Sequence, residues 1–267
     1  MRFTFLLGIS ALAVLSACSD YNKVLKSDDY ARKFAMANEL YENESYERSI
    51  NLYQQVYQRS PHSGEGEVSY YRVGKAYYFI EDYYAAGYYL GAFTQRFPAS
   101  PKCEEAFFLS AMCNVHDSPE WTLDQEPTSY AINSLQTFID RYPNSKLVDT
   151  CNNMIDRLRF KIETKNYEGV KLYSKTLNFR AAVTSAQVFM EDYPLSEFKQ
   201  EVNYLLVKNS FELAKNSIQS KKLDRINETI ERYSTFVAAF PESDYINELT
   251  SYSEELEKEK EKIKSAE

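Results

Sequence analysis

Ser60-Pro61-His62-Ser63, Phe97-Pro98-Ala99-Ser100, Tyr142-Pro143-Asn144-Ser145, Tyr193-Pro194-Leu195-Ser196 and Phe240-Pro241-Glu242-Ser243 write nearly the same four letters five times along this chain. Successive prolines lie 37, 45, 51 and 47 residues apart. Recurrence at that length marks stacked helix pairs, none of which can bury its apolar face alone. Proline ends a helix because it lacks an N–H and its ring clashes with the preceding turn; the serine two residues later is placed to cap the next helix. Only seven glycines occur, no Gly/Ser linker is present, and apolar residues recur with a helical period from Tyr30 onward. The expected fold is all-α, a helical solenoid of about five helix-pair units.

The spacing within each unit follows the tetratricopeptide pattern, whose positions 4, 8, 11, 20, 24, 27 and 32 pack one helix on its partner. Residues 67–100 supply Tyr70, Gly74, Tyr77, Ala86, Leu90, Phe93 and Pro98 there. Small Gly74 and Ala86 let the two helices approach, and large residues fill the space around them. The preceding unit is a weaker match, with Lys33, Ala37, Leu40, Ser49, Tyr53, Val56 and Pro61. The third begins with Phe107 and Ala111 and resumes, after eight extra residues, at Ala131, Leu135, Phe138 and Pro143. The extra residues fall in an expected loop, 117–128, where Thr128 is placed to cap the following helix. An extended helix is expected over 146–165, followed by Tyr173, Ala182, Phe189 and Pro194; the fifth unit keeps Tyr233, Phe236 and Pro241 but has Thr229 at its small position.

The N-terminus has a second signature. Arg2 precedes an apolar stretch, Phe3 to Val14, too short to span a bilayer, and Leu15-Ser16-Ala17-Cys18 reads as a lipobox. Residues 1–17 are expected to be a lipoprotein signal peptide and Cys18 the lipidated N-terminus; two or more acyl chains suffice for stable anchoring. The other reading is an ordinary cleaved leader that contains a cysteine. No second segment approaches the roughly 20 apolar residues of a membrane span, so anchoring without spanning is expected. Without Arg2 the chain carries 30 basic and 39 acidic side chains, a formal charge of −9. That balance leaves no basic stripe for nucleic acid. Cys103, Cys113 and Cys151 are odd in number, and the first two stand about 15 Å apart along one helix, too far to bridge. Buried free thiols are expected.

Position 5 of each unit faces the inner groove of such an array, as do positions 9 and 12. In the first three units these are Phe34, Asn38 and Tyr41; Tyr71, Lys75 and Tyr78; and Phe108, Met112 and Val115. A ladder of rings with few charges is expected, offering large contact area at low entropy cost to an extended peptide. Some of these rings could equally pack between neighbouring units, and Lys75 is either a counter-charge for a terminal carboxylate or a solvated lysine. Tyr84 and Tyr88, one turn apart, are placed against the next unit. Catalysis has little to draw on. His62 and His116 fall in expected loops, a metal site of His116 with Cys113 lacks further ligands, and no nucleophile elbow, phosphate loop or dinucleotide fingerprint occurs. Asp28-Asp29 and Glu104-Glu105 sit at helix starts, where carboxylates complement the dipole. No enzyme, cofactor or metal is expected.

Taken with the lipobox and the repeats, the segment Ser118-Pro119 through Leu123-Asp124-Gln125, then Ala131-Ile132 and Phe138-Ile139-Asp140-Arg141-Tyr142-Pro143-Asn144-Ser145, resembles the BamD family of barrel-assembly lipoproteins, in its Bacteroidetes-type form. So do Leu158-Arg159 with Lys161, and Leu172-Tyr173 followed by Arg180-Ala181-Ala182. The resemblance runs from Cys18 to about residue 250. It implies a periplasmic scaffold tethered by lipid to the outer membrane, which assists folding and insertion of β-barrel proteins. It further implies two partners: unfolded β-barrel precursors and the periplasmic domains of a BamA-type insertase. Under it the chain divides into the leader (1–17), a lipidated tether (18–28), substrate-binding units 1–3 (29–145), insertase-docking units 4–5 (146–250) and a charged helical tail (251–267). Two alternatives stand beside it: a SusD-like glycan-binding lipoprotein, for whose sugar platform outside the repeats the chain has no room, and an envelope-organising repeat protein, for whose N-terminal coiled coil residues 19–29 are too few.

Overall fold

A computed structural model describes residues 20–266; the leader and Cys18 lie outside the described residues. Residues 20–26 are helical. The helices that follow are α1 (Tyr30–Glu42), α2 (Tyr46–Arg59), α3 (Gly64–Phe79), α4 (Tyr83–Arg96), α5 (Cys103–His116), α6 (Glu126–Arg141), α7 (Val148–Lys175), α8 (Phe179–Asp192), α9 (Lys199–Lys215), α10 (Gln219–Ala239) and α11 (Ile246–Ala266). No strand occurs among the described residues. The fold is an all-α, tetratricopeptide-like helical repeat, in two compact units divided between Leu158 and Arg159, within α7.

The five proline quartets fold alike. The residue before each proline closes its helix with an amide bond four residues back, as in Ser60 to Val56 (3.1 Å), Phe97 to Phe93 (2.9 Å) and Tyr142 to Phe138 (2.9 Å). Each serine amide then bonds the carbonyl three residues back, from Ser63 to Ser60 (3.2 Å) through to Ser243 to Phe240 (3.1 Å). Proline's fixed φ suits this turn. Ser63 caps α3 directly, its Oγ accepting from the Gly66 amide at 3.0 Å. In the other four the hydroxyl accepts from the amide two residues on, at Lys102, Leu147, Phe198 and Tyr245. The helix there starts after one further turn, so those serines stabilise the turn and not the helix end. Two of them also reach back to the helix that opens their own pair: Ser100 Oγ donates to Glu67 Oε1 and Ser145 Oγ to Glu104 Oε1, both at 2.6 Å. Ser243 instead accepts from Gln200 Nε2 at 3.0 Å.

In the first unit the small-to-large packing follows the repeat pattern. Ala86, Leu90 and Phe93 are fully buried, as are Ala131, Leu135 and Phe138. A Cβ on Gly74 would stand 2.8 Å from Leu90 Cγ, so only glycine lets α3 and α4 meet there. Lys33 occupies an aromatic's position, with its stem buried, its Nζ bonded to Gln55 Oε1 and 4.8 Å from the Tyr30 ring centre. Cys103, Cys113 and Cys151 are free and buried, and burial pushes the Cys113 thiol up to about 12.

In the second unit Tyr167 and Val170 of α7 share a core with Ala186 and Phe189 of α8, and Phe236, Leu249 and Leu256 close the core. Helices α9 and α11 meet in a seven-residue register: Tyr204 stacks on Tyr245 (4.0 Å), just before α11, Phe211 stacks on Tyr252 (4.2 Å), and Lys208 and Lys215 pair with Glu248 and Glu255; Lys222, at the start of α10, pairs with Glu259. The charged stretch after residue 250 is therefore packed helix, with Leu256 fully buried, and two of its carboxylates, Glu255 and Glu259, pair with α9 and the start of α10.

Several local expectations are corrected. The extended helix over 146–165 runs on to Lys175, without a break before Tyr173, and Tyr173 is 40% exposed rather than core. Thr128 lies inside α6 because Pro127 fits the first helical turn; it is buried and bonded to Gln125 Oε1 (2.7 Å) and Ser118 Oγ (2.6 Å). His116 ends α5 instead of lying in a loop. Tyr84 and Tyr88 are 88% and 63% exposed, not packed on the next unit.

Candidate binding face

Helix α1 approaches α3 and α3 approaches α5, forming the inner face of the first unit. The three rings expected as a ladder do not touch one another. Each leans on a ring of its partner helix: Phe34 on Tyr53 (6.2 Å), Tyr71 on Phe93 (5.3 Å) and Phe108 on Phe138 (5.6 Å). Tyr71 is 5% exposed and Met112 8%, so both belong to the wall behind the face. Phe34, Tyr41, Tyr78 and Phe108 are part-buried and keep an edge on it.

The face is also more charged than expected, and its organiser is Arg72. The guanidinium donates to Asn38 Oδ1 (3.0 Å) and the Tyr53 hydroxyl (2.9 Å), pairs with Glu42 (3.0 Å) and lies 4.7 Å from the Tyr41 ring centre. Tyr53 itself donates to Asn38 at 2.7 Å. Burial raises the Tyr53 hydroxyl to about 12, against the pull of Arg72, and raises Tyr41 further. One turn on, Lys75 Nζ donates to Glu105 Oε1 at 2.8 Å and lies 5.6 Å from the ring centres of both Tyr71 and Phe79. Lys102 Nζ sits 5.5 Å from the Tyr71 ring centre. Burial pushes the Glu105 carboxyl up, but Lys75 and Tyr71 outweigh it and hold the group below its ordinary range. The Tyr71 hydroxyl is buried without a hydrogen bond of good geometry, although the Glu105 charge raises it beyond the effect of burial.

A continuous aromatic path does cross the unit, along the ends of α1, α3 and α5. Tyr41 meets Tyr46 (5.4 Å), Tyr46 meets Phe79 (5.1 Å), Phe79 meets Tyr78 (6.4 Å), Tyr78 meets Tyr83 (5.6 Å), and Tyr83 stacks on His116 (4.1 Å, 3° between planes). The Tyr78 hydroxyl lies 3.1 Å from His116 Nε2, and Phe79 is 46% exposed in the middle of the path. Repeat spacing singles out only Tyr41 and Tyr78 of these. Of the others, His116 ends α5, while Tyr46, Phe79 and Tyr83 sit beside the tight turns at Glu44 and Glu81, both at positive φ, which swing Tyr46 and Tyr83 back over the preceding helix. The doublet Tyr78-Phe79 followed four residues later by Tyr83 was the available signal.

Among the described residues no group of three or more His, Cys, Asp and Glu side chains is placed to hold a metal ion. No helix among them is long and apolar enough to cross a membrane.

Comparison with known proteins agrees with this architecture. A family model described as YfiO, outer membrane lipoprotein, matches residues 27–197 and 161–261. An outer membrane protein assembly factor BamD from Neisseria meningitidis serogroup B is 22% identical over 260 residues, 91% of this chain and 93% of that protein. A BamD from Caulobacter vibrioides is 23% identical over 163 residues, which cover 61% of this chain but only 53% of that protein. Two matched stretches that together run through both units leave one conclusion about kinship: the chain belongs to the YfiO family of outer membrane lipoproteins.

Proposed function

We propose that this protein is an outer-membrane protein assembly factor, anchored through lipid on Cys18, that works by binding rather than by catalysis. In this reading the inner face of units 1–3 takes the end of an unfolded β-barrel precursor, and units 4–5 dock on the periplasmic domains of a BamA-type insertase. The observation that carries it is the aromatic path from Tyr41 through Phe79 to His116, flanked by Arg72 and Lys75. Rings with open edges suit an extended segment rich in aromatic side chains. Near-full-length similarity to a protein named for outer-membrane assembly supports the same reading.

Photocrosslinking in the native cell tests it. A photoreactive residue at Phe79, Tyr78 or Phe34 should capture barrel precursors ending in an aromatic residue, and one at exposed Leu177 or Leu195 should not. Tagged protein solubilised from its membrane should retain a large barrel bearing periplasmic repeat domains. Recovery without any barrel protein, or crosslinks equally strong at all positions, would refute the reading.

A further inference from the structure

The side of the first unit away from the inner face carries two successive clefts, each floored by one helix and walled by the two that flank it. One lies among α2, α3 and α4, has a volume of about 290 Å³ and is lined by Tyr57, Tyr70, Tyr88, Tyr89 and Arg96 among others. Its polar groups satisfy each other: Gln54 Nε2 donates to Tyr89 Oη (3.0 Å) and Arg96 to Tyr57 Oη (2.8 Å). The next, among α4, α5 and α6, is larger at about 360 Å³, within the size range of small-ligand sites.

Repeat arithmetic makes the first cleft a control for the second. Where the first has Tyr57 and Val73, the second has Thr94 and Ser110, 37 residues later; where it has Tyr88 and Tyr89, the second has Asn133 and Ser134, 45 later. Rings give way to small hydroxyl and amide side chains, and no charged residue lines the result. Thr94, Ser134 and Thr137 spend their protons on carbonyls of their own helices, at 2.8, 2.9 and 2.7 Å, leaving oxygen lone pairs as acceptors. Asn114 donates to Ser134 Oγ at 3.0 Å. The Gln95 and Asn133 amides are exposed without side-chain partners, each with donors and an acceptor to offer. Tyr130, 63% exposed, stands in the lining as a flat ring.

We propose that this cleft is a binding site for a neutral saccharide. Sugar hydroxyls need donors and acceptors side by side, the apolar face of a pyranose stacks on an aromatic ring, and an uncharged lining selects against ionic ligands. On α5 the cleft uses Phe107, Ser110, Ala111 and Asn114, whereas the inner face uses Phe108 and Met112, about 100° further round the helix. A ligand here leaves the precursor-binding face free.

The test is saturation-transfer NMR on the full-length protein in a detergent without a sugar headgroup, with tri-N-acetylchitotriose and maltotriose as probes. At least one should bind saturably. Tyr130→Ala should weaken binding roughly two- to tenfold. The double change Asn133→Tyr with Ser134→Tyr, which restores the preceding cleft's rings, should abolish it, and Tyr84→Ala should leave it unchanged. Tyr130 is exposed, so its replacement reads binding without disturbing the fold. Absence of saturable transfer from both probes, or binding that survives both cleft variants, overturns the proposal.

Discussion

Two glycines two residues apart in the same turn should respond oppositely to alanine. A Cβ on Gly66 would stand 2.1 Å from the Ser60 carbonyl oxygen and 3.2 Å from the Pro61 carbonyl carbon, all backbone of the first proline quartet. That oxygen cannot easily retreat, because it accepts from the Ser63 amide (3.2 Å) and the Ser63 hydroxyl (2.9 Å). Overpacking costs about 1–3 kcal/mol. If the turn shifts, the Ser63 cap on Gly66 is lost at about 1 kcal/mol. Alanine's better helix propensity returns about 1 kcal/mol. The net expectation for Gly66→Ala is a loss of about 2 kcal/mol. Gly64 has nothing within 4 Å of its would-be Cβ, so Gly64→Ala should be neutral or stabilise by up to about 1 kcal/mol. Urea unfolding followed by circular dichroism, with native hydrogen exchange to assign the loss to α3, reads both. Equal effects of the two substitutions, or a cost for Gly66→Ala under about 0.5 kcal/mol, would refute the reasoning.

Arg72→Met keeps the stem but strips Asn38 and Tyr53 of their charged donor; a loss of about 1.5–3 kcal/mol in the first unit is expected, with Arg72→Lys intermediate because an ammonium cannot span the same acceptors. Glu248 is pushed up by burial but held below its ordinary range by hydrogen bonds from Tyr252, Tyr204 and Lys208. A lowered folded-state value contributes stability above the unfolded value that is lost as pH falls through the folded one. The second unit should therefore weaken on acidification below the ordinary carboxylate range, and Glu248→Gln should flatten that dependence in melts from pH 6 to pH 3. Leu177 holds φ at 58° with its side chain 70% exposed, so Leu177→Asn should raise stability by about 0.5–1 kcal/mol, read in the same melts.

The fold was legible because its punctuation is local. Proline's missing donor and the serine hydroxyl act within a few residues, and the small-large alternation at Gly74, Ala86, Leu90 and Phe93 is a property of one helix pair. The face was less so. Position within a repeat says which way a side chain leaves its helix, yet not what meets it there. Tyr71 points as expected and is then roofed by Lys75 and Lys102. Arg72, one residue further round, gathers partners from α1 and α2 that lie 19 to 34 positions away. Tyr46 and Tyr83 join the aromatic path only because Glu44 and Glu81 adopt a left-handed conformation that no residue type there announces. Thr128 illustrates the converse: a good capping residue was displaced inward by Pro127, a better helix starter.

The serine-to-glutamate bonds Ser100–Glu67 and Ser145–Glu104 have a mechanical meaning. Each fastens the turn leaving a helix pair to the helix that opened the same pair, so these two pairs are closed buckles, not merely links stacked on their neighbours. Tension applied at one end of the first unit would then be borne by one buckle at a time. Extension should proceed in discrete steps, each releasing the length of one pair, and replacing Ser145 by alanine should lower the force of a single step while leaving the others where they were.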